Sequence, residues 1–350
     1  MRAQRAADIE RALAERLARE NGVVSVALMG SFAKGNPAFD EKRGVFTSDL
    51  DALVVVKPAA YPRFVLRQRA IAASLEGALR LSVSVAPLTP RLLATAPASV
   101  WFAEVRFGGR TIHGPDLLAT IPIAKPSDVA PTEGVVVALN YLQELARLRL
   151  DGASGEPGHV AKVARALLGA SDALAAAGGF YDAALDRRVQ GVLASKDLEA
   201  RAPAFLARFR DASARAFAAR RDPAPLEAVA FEAWWNEARA TLVDATLLAA
   251  GAAERDAPDA ARATLAQALR AADGPGAALS FAILSAVHAK RPWPLLAVAT
   301  RRPASVRAAL FDAMREAPGP GWAGVVQPIL ARWRAASPAY TPFARRLKNV

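Results

Sequence analysis

The chain has 350 residues, 53% of them hydrophobic, no cysteine and a net charge of +12. That is apolar material for two or three packed domains, and the missing thiols exclude disulfides, thiolate zinc sites and cysteine nucleophiles. The positive balance favours anionic partners, but the arginines are scattered among alanines rather than gathered into a basic tail, so most are expected on solvated helix faces and nucleic-acid binding has little support.

Three histidines, His113, His159 and His288, are far apart in sequence and show no short ligand spacing. Any metal is therefore expected to be held by oxygen. No apolar run approaches the ~20 residues that span a bilayer, and the N-terminus alternates charge with alanine and leucine without the apolar core of a signal peptide. A cytoplasmic address without a membrane partner is the expectation.

In chain order, Ile9, Leu13 and Leu17 recur every fourth residue and predict an amphipathic helix over 6–20, stopped by Asn21-Gly22. Val23 to Met29 reads as a strand covered on both faces. Gly30-Ser31 follows at once. Glycine lets the backbone approach a ligand closely, the serine adds a hydroxyl, and Lys34 and Gly35 place a cation and a second flexible residue in the same turn; the plain-connector reading stands beside this one. Residues 36–48 carry Pro37, Gly44 and mixed charge without periodicity, and predict a surface loop.

A second strand then opens with Asp49 and Asp51. Residues two apart on a strand project to one face, and two carboxylates there repel unless a cation lies between them, so the pair points to a divalent metal. Residues 61–78 predict a helix with Pro62 in its first turn, and Leu79 to Leu88 a strand with period-two alternation. Ser99 to Phe107 has strand-like density of Val, Trp and Phe, and Gly108-Gly109 predicts a hairpin turn into Arg110-Thr111-Ile112. Pro122, Pro126 and Pro131 predict a linker.

Beyond it strand signals vanish. Apolar residues at three-to-four spacing predict helices over 133–150, 157–177, 181–195, 199–220 and 224–250, then to about 272 and near 277–289. Trp234-Trp235 is expected to pack within this bundle, with stacking on a base as the alternative. No repeat of fixed period is evident, and no chemical motif stands out after Asp256.

Gly30-Ser31 followed by Asp49-Leu50-Asp51 and an aliphatic strand resembles the nucleotidyltransferase superfamily typified by DNA polymerase beta and the aminoglycoside nucleotidyltransferases, over roughly residues 5–122. The resemblance implies that Gly30 and Ser31, with Lys34 beside them, grip a triphosphate while Asp49 and Asp51 hold two Mg2+ ions. Two metals about 4 Å apart activate an attacking hydroxyl and stabilise the leaving pyrophosphate. Two departures stand out. Eighteen positions separate Ser31 from Asp49, so an insertion is expected between Asn36 and Thr47. Active members also carry a third carboxylate on a later strand, where this chain offers Ser84, with Ser82 on the same face; Glu76 and Glu104 are the nearest acids. The segment 159–185 resembles a helix of the substrate domain that follows such a core, which implies phosphate contacts from Lys162 or Arg165; a solvated basic stripe is the other reading.

The expected architecture is an α+β nucleotidyltransferase-like domain, a mixed sheet with flanking helices, over 1–124, followed by an all-α bundle over 125–255 and a helical extension over 256–350. The expected function is transfer of a nucleoside monophosphate from a triphosphate to a hydroxyl acceptor, a small molecule, a protein side chain or an RNA end, with Mg2+. The alternative is a degenerate relative that binds nucleotide or a partner without turnover.

Overall fold

The structure of the chain, a computed structural model, describes residues 2–35, 37, 39–40, 45–46, 48–253, 256, 258–272, 303–316 and 318–336. It divides into two units, Met1–Pro126 and Ser127–Val350. The first unit is built on a small mixed sheet and the second is helical.

In the first unit, α1 (Arg2–Ala18) leads through Gly22, at φ +82°, into β1 (Val23–Met29). The one-turn helix α2 (Gly30–Ala33) follows, then the two-residue strands β2 (Phe39–Asp40) and β3 (Val45–Phe46), then β4 (Leu50–Val56). α3 (Tyr61–Leu79) crosses over to β5 (Val83–Leu88), and α4 (Pro90–Ala94), α5 (Val100–Gly108) and β6 (Arg110–His113) complete the unit. The sheet order is β5-β4-β1-β6. β1 runs antiparallel to β4 and β6, and β4 runs parallel to β5, as a helical crossover requires.

Alternation along the strands gives the sheet two different faces. Val26 and Leu28 of β1, Leu50, Ala52, Val54 and Val56 of β4, and Val83 and Val85 of β5 pack with Leu13 and Leu17 of α1 and Phe64, Ile71 and Leu75 of α3. Each such leucine or valine contributes about 1.5–3 kcal/mol when fully buried. The intervening residues, among them Ala27, Met29, Asp51, Leu53, Val55 and Ser84, must therefore project from the opposite face.

Three expectations for this unit change. The segment Ser99 to Phe107 is a helix, not a strand, because Ser99 caps it by accepting the Phe102 N–H at 3.3 Å, and Gly108-Gly109 ends that helix instead of turning a hairpin. A Cβ on Gly109 would meet the Val105 carbonyl at 2.3 Å, so the chain exits there only as glycine. The segment expected as a surface loop over 36–48 is not merely a loop, since β2 and β3 pair antiparallel and Phe39 meets Phe46 edge-on at 4.9 Å. The proline-marked linker contains the boundary between the two units, and Ile121, Ile123 and Val129 are buried while Arg106 donates to the carbonyls of Leu118 and Ile123, both at 2.9 Å.

The second unit contains α6 (Glu133–Leu150), α7 (Pro157–Ala177), α8 (Leu185–Leu193), α9 (Lys196–Arg201), α10 (Pro203–Arg221), α11 (Ala228–Ala249), α12 (Pro258–Ala272), α13 (Pro303–Arg315) and α14 (Trp322–Ala336). α7 is buried along most of its length between α6, α10 and α11, which its alanine-rich sequence permits. The helix expected over 199–220 is two helices, because Pro203 has no N–H to continue the ladder and Ser195 starts the first of them by capping Leu198. The helix expected over 181–195 begins only at Leu185, and the one expected near 277–289 falls outside the described residues. Trp234 and Trp235 are buried bundle residues whose indoles donate to the carbonyls of Val160 and Leu145.

Candidate functional site

Asp51 is the middle of a row that crosses three strands. It pairs with Met29 at the end of β1 and with Ser84 at the start of β5. Lateral neighbours in a sheet share a face, so Asp51 and Ser84 lie side by side on the face opposite α1 and α3. Asp49, half-buried, directly precedes β4, two residues before Asp51.

The glycine-serine turn closes on the same edge. Gly30 has φ +66°, a left-handed conformation that side chains resist, and a Cβ there would lie 3.4 Å from Asp51 Oδ2. Its backbone therefore lies against the aspartate carboxylate. Phe32 fixes the turn: it is fully buried and packs on Phe46 of the β2–β3 hairpin at 5.3 Å. The β2–β3 pair thus braces the turn, a role that the irregular composition of residues 36–48 did not announce.

Lys34 caps α2, its N–H donating to the Gly30 carbonyl at 3.2 Å, and its ammonium pairs with Glu104 of α5 at 2.9 Å. The lysine stem runs over Gly108, where a Cβ would come within 3.0 Å of Lys34 Cε. Glu104 is therefore engaged with Lys34. Glu76 lies on α3, the helix on the other face, and accepts the Val83 N–H at 3.1 Å. Among the described residues no group of three or more histidine or carboxylate side chains is placed to hold a metal ion, so neither glutamate completes a triad with Asp49 and Asp51.

Ser84 stands beside Asp51 as a neutral hydroxyl. It is 4% exposed, and its Oγ has no hydrogen-bond partner. An unsatisfied buried hydroxyl costs about 1–3 kcal/mol, and the cost falls if a ligand or a held water supplies a partner. Two carboxylates and a hydroxyl are hard oxygen donors and suit one divalent cation such as Mg2+; a second ion would lack the charge of the third carboxylate. Ser82 lies outside β5, so Ser84 alone stands beside Asp51.

Lys162 and Arg165 are exposed on α7 of the second unit. His113 ends β6, and His159 accepts the Ser154 N–H at a turn, so both have local structural places; His288 is outside the described residues. No helix among the described residues is long and apolar enough to cross a membrane.

Comparison with known proteins finds no match to a family model, a curated protein or a solved structure.

Proposed function

We propose that the first unit is a nucleotidyltransferase-like domain that binds a nucleoside triphosphate with Mg2+ and transfers its nucleoside monophosphate to a hydroxyl acceptor. The observation that carries this reading is the meeting of the glycine turn with the aspartate strand: Gly30, at positive φ, sits against Asp51. A turn that bares its amides suits phosphate oxygens, and a carboxylate pair within reach suits the cation that accompanies them.

In this reading Asp49 and Asp51 hold Mg2+, with Ser84 Oγ as a neutral third oxygen. Bound there, the ion supplies charge neutralisation on the phosphates and lowers the barrier to in-line displacement. Gly30 and Ser31 orient the triphosphate. Lys34 reaches a phosphate by leaving Glu104, an exchange of one oxyanion for another. The acceptor oxygen bonds to the α-phosphorus as the bond to pyrophosphate breaks, and the acceptor proton passes to an aspartate or to solvent because Ser84 is no base. A positioned base contributes about 10²–10⁴ in rate, so turnover is slow.

The test is release of pyrophosphate from labelled nucleoside triphosphates with Mg2+ across a panel of hydroxyl acceptors. Turnover that Asp49→Ala abolishes supports transfer. Nucleotide binding without turnover supports a second reading, a degenerate relative that only binds, which Ser84, the bond of Glu76 to Val83 N–H and the pairing of Glu104 with Lys34 favour. Absence of both binding and turnover sinks both readings.

A further inference from the structure

We propose that the groove between α1 and the outer edge of β6 is the interface of a twofold dimer, occupied by a second copy of this chain. The proposal does not depend on the nucleotide reading of the site around Asp51.

The two edge strands of the sheet are treated differently. At β5, side chains of α3 engage the backbone: Glu76 accepts the Val83 N–H at 3.1 Å and the Gln68 amide donates to the Val85 carbonyl. At the other edge β6 pairs with β1, and among the described residues no hydrogen bond beyond that pairing reaches its backbone. Arg110 and His113, at its two ends, are exposed. Such an edge is a template for one more strand.

A groove of about 710 Å³ runs beside this edge, walled by α1 from Ala7 to Arg19 and by β6 from Arg110 to His113. Arg110 joins the two walls by donating to Glu10 at 2.7 Å. The helix wall is low where Ala7, Ala14 and Ala18 line it, so a second backbone can come close, and Ile112 adds a half-buried apolar side chain on the strand side.

The charges on the helix wall decide what fits. Arg11, Glu15 and Arg19 are exposed at intervals of four and so share one face, with alternating sign. A partner of one sign would meet like charge on that wall. The same helix running the other way sets Glu15 against Arg11 or Arg19 of the second copy, and a twofold axis repeats every such pair. The existing pair of Arg11 with Asp8 is loose, 3.7 Å between largely exposed side chains, and yields readily.

Strand geometry is consistent with the same symmetry. Antiparallel self-pairing about a twofold axis perpendicular to the sheet places one residue opposite itself. Ile112 is that residue: Arg110 pairs with Leu28, whose face α1 covers, and Ile112, two residues on, packs against the same core. Two Ile112 side chains then meet beneath two antiparallel α1 helices, and the sheets join into one of eight strands, four from each copy. Four residues of β6 alone make a small contact. The α1 helices, each about 25 Å long, extend it toward the roughly 1,200–2,000 Å² of a stable interface.

The experiment is analytical ultracentrifugation of the full chain over a concentration series. A dimer is expected, and Glu15→Arg, which makes the helix wall wholly positive, should weaken it about tenfold or more because symmetry counts the change twice. The triple exchange R11E/E15R/R19E inverts the pattern without spoiling its self-complementarity and should restore the dimer, which separates a lost contact from a misfolded chain. The chain has no cysteine, so a disulfide formed by Ile112→Cys on mild oxidation joins two copies at this residue; that covalent dimer is expected. A chain that stays monomeric at concentrations on the order of 100 μM leaves the edge to another partner and overturns the proposal. So does a dimer that Glu15→Arg leaves unchanged, or one that the triple exchange fails to restore.

Discussion

Asp51 owes its place to register. One residue of slip would turn it into the face held by α1 and α3, and its pairing with Met29 and Ser84 puts it beside the glycine turn instead. On this account Ser84→Asp restores the missing charge: Mg2+-dependent pyrophosphate release should rise about tenfold or more, within what a positioned base supplies, and an unchanged rate would count against the proposed role of this position. The helical unit has a different single-residue dependence. Asp172→Ala leaves Arg188 buried without its carboxylate, and urea denaturation should register a loss of about 3–5 kcal/mol. Tyr141 gives a pH signature. Burial, and next Asp172, hold its hydroxyl above the ordinary value of 10.0, so the folded chain keeps the phenol protonated where the unfolded chain ionises it. The stability it contributes is full below that ordinary value and is lost as the pH rises beyond it toward the folded value. Melting temperatures measured on the alkaline side should therefore fall less steeply for Tyr141→Phe. Strand alternation put Ser82 and Ser84 on one face, and only register against the resembling family favoured Ser84, which the structure pairs with Asp51; the destinations of Glu76 and Glu104 were not legible, because they depend on which helix covers which side.

Elements with strong periodicity, such as β1, β4 and α7, were legible with nearly their observed bounds, while α1 starts and ends earlier than the expected 6–20. α5 was not: Val, Trp and Phe favour strands only where a pleated surface receives them, and here a serine cap starts a helix that buries Ala103 and Val105. Pro97 with Ser99 just ahead of the run was the available signal. If that cap sets the helix, Ser99→Ala should cost about 1 kcal/mol in denaturant unfolding, whereas a neutral result would mean that packing alone forms α5. The break between α9 and α10 follows from Pro203 in the same way, a local rule that outweighed a continuous apolar pattern. The β2–β3 hairpin shows the opposite case. Only the tertiary contact of Phe46 with Phe32 gives that short pairing its use, which is to hold the turn of α2 in place.

At the scale of the molecule, one unit supplies a sheet edge that gathers Gly30, Asp49, Asp51 and Ser84, and the other supplies a helical body with its own core. The +12 charge is spread along the chain, and among the described residues some arginines pair with carboxylates, as in Arg67–Glu20, Arg110–Glu10, Arg208–Asp244 and Arg262–Asp312. Exposed pairs of this kind add little stability each. The sheet edge as a joint nucleotide and metal site is the central proposal. Calorimetric titration of the full chain with ATP, with and without Mg2+, tests it directly against Asp51→Ala. Binding that requires Mg2+ and disappears in Asp51→Ala is the predicted result; binding that is equal with and without the ion, and equal in the variant, would contradict it.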